Sequence, residues 1–277
     1  MDVKPQSLGS ATPAAHSAPR SESWTGFVWF IIKLLLAVLA FRVFVFSPFS
    51  IPTESMLPRL MTADYLLAAK WPYGISRHSL PVDLPLPEGR LFPRTPERGD
   101  IVIFKHPVDG VDYIKRVIGL PGDRVAVSGG QVRLNGVPIP RAPIADVLVP
   151  LSPNTSCGSG DLARRPDGTA ACRYAAFRET LPGGRSYTVL DMGLTPADAY
   201  AEQTVPPGTL FVMGDNRDAS LDSRFEAAAG FGVGFVPQDL LVGRAGVIVW
   251  STDGSAAWAQ PWTWFSAARW NRIGDLL

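Results

Sequence analysis

The chain has 277 residues, of which 46% are hydrophobic, so it can bury a substantial core as one large domain or two small ones. Glycine and proline, with 26 residues each, are more frequent than in average proteins, which favours a turn-rich, β-rich fold. The formal net charge is +1 and no dense cluster of lysine or arginine occurs. This composition argues against nucleic acid as a partner.

The sequence motifs of several large enzyme classes are missing. The chain has three histidines and two cysteines, and it lacks the H-E-x-x-H and C-x-x-C spacings of metal and redox sites. It also lacks the P-loop of nucleotide-binding proteins and the G-x-S-x-G of many serine hydrolases. We therefore expect no metal, no cofactor and no histidine-based triad in the chemistry.

Two contrasting segments open the chain. Residues 1–23 are rich in Ser, Pro and Ala and are predicted to form a disordered tail. Residues 24–46 are nearly all apolar or aromatic, and they are long enough to form a transmembrane anchor. A cleaved secretory signal is the alternative, but its apolar region is shorter, and no small-x-small cleavage site follows this segment. The lysine and arginine counts on its two sides do not settle the orientation.

The candidate nucleophile, Ser55, lies in the segment 51–60, which reads Ile-Pro-Thr-Glu-Ser-Met-Leu-Pro-Arg-Leu. Pro52 and Pro58 restrict the backbone on either side, which suits a loop that holds one hydroxyl in a fixed position. Thr53 provides a second hydroxyl nearby. Because a serine does not attack an amide at neutral pH unaided, the rest of the chain must supply a base.

Lys115 is the candidate base. The segment 111–118 is predicted to be a strand, in which Lys115 and Arg116 point to opposite faces between apolar neighbours, so at least one of these cations is expected to be buried. Burial favours the neutral amine and lowers the pKa of a lysine. Of the five lysines, Lys115 is the one best suited to desolvation. The alternative is an exposed lysine on an edge strand, where it would discourage aggregation.

The remaining pattern predicts a mostly β fold. Short apolar strands are predicted at 101–104, 210–213 and 247–250, and hairpins follow the turn at 119–123. The more irregular span 126–205 is predicted to be an inserted, smaller β-rich subdomain. The predicted architecture is therefore an antiparallel β-sheet core with this insertion, preceded by one transmembrane helix.

The only two cysteines, Cys157 and Cys172, lie within the predicted insertion. Without a neighbouring histidine, such a pair in an exported domain is more often a disulfide than a zinc site. A disulfide would indicate an oxidising compartment, and two free cysteines are the alternative.

Two further clusters stand out in the second half of the chain. Residues 214–224, Gly-Asp-Asn-Arg-Asp-Ala-Ser-Leu-Asp-Ser-Arg, follow an apolar strand with many carboxylates, guanidinium groups and hydroxyls. This density indicates a hydrogen-bonded loop, and a solvated turn is the alternative. Five tryptophans near the end of the chain suit either a surface resting on lipid headgroups or a packed aromatic terminus. They are Trp250, Trp258, Trp262, Trp264 and Trp270.

Taken together, four blocks behind the apolar segment resemble the bacterial type I signal peptidases, which are membrane-bound Ser-Lys proteases. The blocks are Ile51 to Pro58, Arg98 to Val102, Tyr113 to Asp123 and Gly214 to Arg224. This resemblance implies that Ser55 is the nucleophile and Lys115 its general base. It further implies a serine endopeptidase that removes signal peptides through an acyl-enzyme.

The resemblance also implies supporting roles. Ser220 would hold the lysine amine in line, and Asp222 and Arg224 would brace that loop. The backbone N–H of Ser55 and the hydroxyl of Thr53 would hold the oxyanion. Substrate contacts are expected from Ile51, Met56, Tyr113 and Ile114.

Two residues depart from the family pattern. Thr53 stands where serine is common, and its extra methyl group restricts the rotamer of the hydroxyl. Glu54 stands where glycine is frequent, and it is expected to alter local substrate contacts.

The expected partners follow from the same resemblance. They are preproteins whose signal peptides have small residues before the cut, Ala-x-Ala-like, together with membrane lipid, and the chain is expected to be monomeric. The tail would lie in the cytoplasm, and the peptidase domain, residues 47–277, would lie on the periplasmic or outer face of the bacterial plasma (inner) membrane. Two rivals are a Ser-Lys peptidase with a narrower task, such as conjugation-type processing, and a membrane-tethered β protein that only binds peptides.

Overall fold

The structure is a computed structural model that describes residues 24–79, 89–257 and 259–277. The predicted disordered tail, residues 1–23, lies outside the described residues, and so does Trp258. The description below is restricted to the remaining residues.

Helix α1 (Trp24–Phe44) is formed by the apolar N-terminal run. It contains no proline and is rich in leucine and alanine, which have high helix propensity. Pro48, shortly after its end, cannot continue a helix, and the Ser47 hydroxyl donates to the Arg42 carbonyl at 3.0 Å. Over the described residues, it is the one helix that is long and apolar enough to cross a membrane, through Trp24–Arg42.

Most of the remaining regular structure is β-strand, with one short further α-helix, α2 (Trp262–Ala267), within the described residues. The strands are β1 (Phe46–Ser50), β2 (Asp64–Ala69), β3 (Ile75–Ser76), β4 (Arg90–Leu91), β5 (Ile101–Lys105), β6 (Asp112–Gly119), β7 (Arg124–Ser128), β8 (Gln131–Leu134), β9 (Val137–Pro138), β10 (Arg141–Pro150), β11 (Asp161–Arg164), β12 (Ala170–Thr180), β13 (Ser186–Leu190), β14 (Ala199–Thr204), β15 (Thr209–Met213), β16 (Val236–Pro237) and β17 (Leu241–Ser251). The prediction of a mostly β fold is confirmed.

The main sheet is antiparallel. Counted over the described parts of the chain, it has seven strands in the order β1-β2-β17-β5-β6-β15-β16. Alternate side chains of β5 enter two different apolar clusters, one with Ile101 and Ile103 and the other with Val102 and Phe104. Because both faces are covered, β5 is a continuous apolar run in the sequence instead of an alternating one.

Strands β7 to β14, between residues 124 and 204, form two further sheets. Each has four strands among the described residues: β14-β7-β8-β9, and β10-β12-β11 with β13 also paired to β12. A third apolar cluster packs Val125 and Val132 of the first of these sheets against Ile118 and Phe211 of the main sheet. Since the described residues from 40 to 277 belong to one compact unit, the bounds of the insertion at 126–205 stay a prediction.

A disulfide joins Cys157 and Cys172, whose Cα atoms are 5.2 Å apart. Cys172 lies on β12 and is fully buried. It belongs to an apolar cluster that also contains Leu57 and Leu190. The crosslinked part of the insertion therefore packs against the segment that carries Ser55.

Candidate active site

Ser55 lies in a turn between β1 and β2. The Leu57 N–H donates to the Glu54 carbonyl at 3.1 Å, and the Leu60 N–H donates to the Met56 carbonyl at 2.9 Å. The side chains of Met56, Leu57 and Leu60 are at most 2% exposed. Since these apolar side chains are fixed in the core, they hold the preceding serine in place.

Lys115 reaches Ser55 from the middle of the main sheet. On β6 it pairs with Val102 of β5. Its Nζ lies 2.8 Å from Ser55 Oγ, at hydrogen-bonding geometry. The exposed fractions of Lys115 and Ser55 are 4% and 6%. The lysine side chain is thus buried against the serine and is not exposed at a sheet edge.

Burial lowers the pKa of Lys115 from 10.5 to about 8, because removal from water penalises the ammonium form. The carboxylates of Asp222 and Asp215 oppose this shift, since they favour the charged form, and Arg224 adds to it. A large fraction of the amine is therefore neutral at mildly alkaline pH, and a neutral amine can accept a proton.

Two hydrogen-bond donors lie beside the Ser55 hydroxyl. Thr53 Oγ1 is 3.3 Å from Ser55 Oγ, and Thr53 is exposed. Within the described part of the chain, the backbone N–H of Ser55 donates to no acceptor. These are the two groups that the resemblance assigns to the oxyanion.

The loop 214–224 packs behind the lysine and is held by its own charges. The Asp222 carboxylate accepts from the Gly214 N–H at 2.9 Å and from Arg224 Nε at 2.9 Å. Arg224 also donates to the Arg217 carbonyl at 2.7 Å. Burial alone would raise the pKa of Asp222, but the Arg224 charge and these hydrogen bonds hold it below its ordinary value. Asp222 and Arg224 thus close the loop on itself, and the loop is not a solvated turn.

Ser220 approaches the nucleophile without a hydrogen bond to the lysine. Its Oγ is buried and lies near the Asp222 carboxylate, whose pKa it helps to lower, but it has no partner at hydrogen-bonding geometry among the described residues. A Cβ atom at Gly214 would overlap the Ser220 side chain and lie 2.5 Å from the Ser55 carbonyl oxygen. Glycine at this position therefore allows the loop to touch the backbone of the nucleophile. The role of Ser220 in holding the amine stays a prediction.

The sequence interpretation missed the role of Asn216. Its backbone N–H donates to the Ser55 carbonyl at 3.1 Å, and its Nδ2 donates to the Glu54 carbonyl at 3.2 Å. Asn216 itself is fully buried. Asn216 therefore fixes the backbone of Glu54 and Ser55, which carries the nucleophilic side chain. The only signal of this in the sequence is the density of polar residues in the loop.

Two buried ion pairs hold the same loop to the sheets. Arg116, next to Lys115 on β6, makes a bidentate pair with Asp215 at 2.6 and 2.7 Å. Arg217 makes a second bidentate pair with Glu179 of β12 at 2.8 and 2.5 Å. Removal of one partner from such a pair leaves a buried charge and costs about 3–5 kcal/mol. The loop position is therefore strongly specified.

Glu54, at a position where the resemblance leads us to expect glycine, contacts the segment around Ser156. Its carboxylate accepts from the Ser156 N–H at 3.2 Å. Burial, together with the Glu54 charge, raises the pKa of Tyr174 to about 12. The glutamate thus connects the turn of the nucleophile to the crosslinked segment around Cys157.

The four predicted substrate contacts occupy two environments. Ile51 and Met56 are 3% and 0% exposed and belong to the core. Tyr113 and Ile114 are half-buried on β6. In this structure, the half-buried pair on β6 is therefore the more accessible to a substrate.

One edge of β6 is open beside Lys115. Strand β15 ends at Met213, which is opposite Arg116. Residues 112–115 pair with β5 on one side, and no described strand pairs with them on the other. An extended peptide could form backbone hydrogen bonds along this edge.

Comparison with known proteins identifies the family of the chain. A family model described as "Signal peptidase, peptidase S26" matches residues 24–250. Signal peptidase I of Rickettsia typhi is 36% identical over 233 residues, which cover 80% of this chain and 78% of the relative. The Rickettsia prowazekii enzyme is 35% identical over 233 residues, with the same coverage of 80% and 78%. A crystal structure of a signal peptidase I from Enterococcus faecalis V583 is 28% identical, and the match covers 55% of this chain and 97% of that chain. Its TM-score of 0.29 is too low to support a conclusion about the fold.

The matched span contains the apolar helix, Ser55, Lys115 and the loop 214–224. The resemblance drawn from the four sequence blocks is confirmed. With its N-terminal apolar helix, the protein is membrane-anchored. The chain therefore belongs to the signal peptidase family, peptidase S26, whose members are serine endopeptidases.

Proposed function

We propose that this peptidase removes N-terminal signal peptides from exported preproteins by a Ser-Lys mechanism, with Ser55 as nucleophile and Lys115 as general base. The observation that carries the proposal is the 2.8 Å separation of Nζ and Oγ, with both residues buried. A base must lie within hydrogen-bond reach of the proton that it removes, and its pKa must be near the working pH. Lys115 meets both conditions.

The chemistry proceeds in two halves. In the first, Ser55 Oγ bonds to the scissile carbonyl carbon while its proton passes to the neutral Lys115 amine. The Ser55 N–H and the Thr53 hydroxyl stabilise the oxyanion. The C–N bond then breaks, the leaving amine takes the proton from Lys115, and an ester of Ser55 remains. In the second half, Lys115 takes a proton from water, which attacks the ester, and Ser55 regains its proton as the signal peptide carboxylate leaves.

The open edge of β6 supports binding of the substrate as an added strand. A peptide paired with residues 112–115 would lie next to the Lys115 amine and the Ser55 hydroxyl. Backbone hydrogen bonds would supply affinity, and specificity would depend on the side chains that face the protein. The preference for small residues before the cut is what the family resemblance implies.

The apolar helix and the disulfide support a location at the outer side of the bacterial plasma membrane. The span was predicted at 24–46, but β1 begins at Phe46, so the span lies within α1, through Trp24–Arg42. It would anchor the peptidase domain at the bacterial plasma membrane, in contact with lipid. The Cys157–Cys172 disulfide favours the periplasmic or outer face, because cytosolic thiols are kept reduced.

The first test replaces the two central residues. Ser55→Ala removes the nucleophile and Lys115→Met removes the base, so each is expected to lower kcat/KM by at least about 10³-fold. The measurement is cleavage of a preprotein by the full chain in detergent, followed by mass spectrometry of the new N-terminus. Lys105→Met, at a partly exposed lysine on the neighbouring strand, is the matched control and should retain activity.

Undiminished cleavage by either Ser55→Ala or Lys115→Met would rule out the mechanism. A preprotein that is bound but never cleaved by the wild type would favour the peptide-binding rival. Cleavage of one processing substrate alone, without cleavage of diverse signal peptides, would favour the narrower peptidase.

The second test is the pH dependence of kcat/KM. Because the neutral amine is the active form, the rate should rise with pH through an apparent pKa of about 8 and fall about tenfold per unit below it. Lys70→Arg is the control, because burial also lowers the pKa of Lys70 to about 8. This variant should keep the same profile. A flat profile from pH 6 to 10 would contradict the role of Lys115.

The third test concerns the close approach at Gly214. Gly214→Ala forces apart the Ser220 side chain and the Ser55 carbonyl, so kcat/KM should fall by about 10²-fold, as expected for a displacement of about 1 Å. Gly158→Ala is the matched control, since the nearest atoms to its Cβ are 3.7 and 3.8 Å away. Circular dichroism of both variants checks the fold. Full activity in folded Gly214→Ala would show that this contact does not position the nucleophile.

A further inference from the structure

Three aspartates from separate segments converge outside the Ser55 site. Asp191 follows β13, Asp198 lies in the turn that precedes β14, and Asp218 belongs to the loop 214–224. One carboxylate oxygen from each residue lies within 4.8 Å of the other two. The cluster therefore joins the insertion to the loop that contains Ser220 and Asp222.

Two oxygens of this cluster lack partners. Asp198 is 3% exposed, and its Oδ2 accepts from the Thr195 N–H at 2.7 Å. The Oδ2 of Asp218 accepts from the Met192 N–H at 2.6 Å. The remaining Oδ1 atom of each aspartate is buried without a hydrogen-bond partner among the described residues. Such atoms are rare, because desolvation of an unpaired polar group is costly.

The unpaired oxygen of Asp198 points into the cluster. A Cβ atom built on Gly130 would lie 2.8 Å from Asp191 Oδ2, 3.0 Å from Arg141 Nη1 and 3.4 Å from Asp198 Oδ1. The carboxylates of Asp191 and Asp198 thus converge on the same glycine, and the Arg141 guanidinium lies beside them.

Among the described residues, Arg141 is the one cation in an ion pair with the three carboxylates, and the Arg224 charge also acts on Asp218. Arg141 donates to Asp191 Oδ2 at 2.6 Å, and its guanidinium lies over the Phe177 ring at 3.8 Å. Close like charges are unfavourable unless a proton or a cation compensates them.

A cavity opens to solvent beside two of the three aspartates. A cavity of about 330 Å³ is lined by Asp191 and Asp198, together with Gly129, Gly193 and Arg141. It has room for water molecules, which commonly complete the coordination of a hard cation.

We infer that Asp191, Asp198 and Asp218 form a binding site for a hard divalent cation such as calcium. Oxygen ligands suit such ions, and Ca²⁺ binds them at about 2.3–2.6 Å, so oxygens on opposite sides of one ion lie about 4.6–5.2 Å apart. Oxygens that lie within 4.8 Å of one another are close enough to share one such ion.

The ion would have a structural role. It would tie Asp218, and with it the loop 214–224, to the two aspartates of the insertion. It takes no part in the Ser55–Lys115 chemistry, so the expectation of metal-free catalysis is unaffected. The three ligands are separated in the sequence, and no motif spacing indicates them.

The test is calcium binding by the full chain in detergent after treatment with a chelator and its removal. Isothermal titration with CaCl₂ should show one ion per chain. Millimolar calcium should raise the unfolding midpoint by at least about 3 °C, because an ion that binds only the folded state stabilises it. Asp198→Asn and Asp218→Asn should each weaken binding by at least about tenfold and remove the shift.

Asp146→Asn is the matched control, because Asp146 is an exposed aspartate of the insertion, and it should keep both binding and the shift. If Asp198→Asn fails to fold because its turn depends on the carboxylate, the binding result for Asp218→Asn decides the test, since an amide oxygen can still accept from the Met192 N–H.

Absence of calcium binding in the wild type would overturn the inference and indicate a shared proton. Binding that is unchanged in the folded variants would also overturn it. Neither result would bear on the Ser55–Lys115 mechanism.

Discussion

The hydrogen bond between the buried amine of Lys115 and the hydroxyl of Ser55 is the interaction on which the rest of the structure depends. An amine held in water would stay charged near neutral pH, and a charged amine cannot take a proton from serine. Burial lowers the pKa of the Lys115 amine, because desolvation penalises the charged form. The nearby carboxylates of Asp222 and Asp215 offset part of this penalty. Asp222 is itself paired with Arg224, and Asp215 with Arg116. Both carboxylates therefore favour the charged form of the lysine less strongly than unpaired carboxylates would.

The surrounding structure fixes the positions of two backbone segments relative to each other. One is the turn of Ser55, anchored by apolar side chains and by the hydrogen bonds of Asn216 to two of its carbonyls. The other is β6, which lies between β5 and β15 in the main sheet. The loop 214–224 contacts both, because buried ion pairs hold it and Gly214 permits close approach to Ser55. Precise placement of a nucleophile and a base accounts for a large part of catalytic power.

Much of this could be predicted from the sequence, because the signals are local. Strand alternation separates Lys115 from Arg116, a long apolar run predicts helix α1, and a dense polar loop after a strand indicates hydrogen bonding. The rest depends on contacts between distant segments. No periodicity indicates that Asn216 binds the Ser55 carbonyl or that Asp198 meets Asp218. Met56 illustrates a related limit, since an apolar residue beside a nucleophile fits a substrate cleft and a core equally well, and here it lies in the core.

The most direct measurement is titration of the Lys115 amine itself by NMR in protein labelled at lysine. The chain has five lysines, so the spectrum is simple, and Lys115→Met and Lys70→Arg identify the two signals with lowered pKa values. The account predicts that the signal lost in Lys115→Met titrates with a midpoint of about 8. A midpoint near the ordinary value of 10.5 would show that the amine is charged at working pH, and would contradict its role as the base.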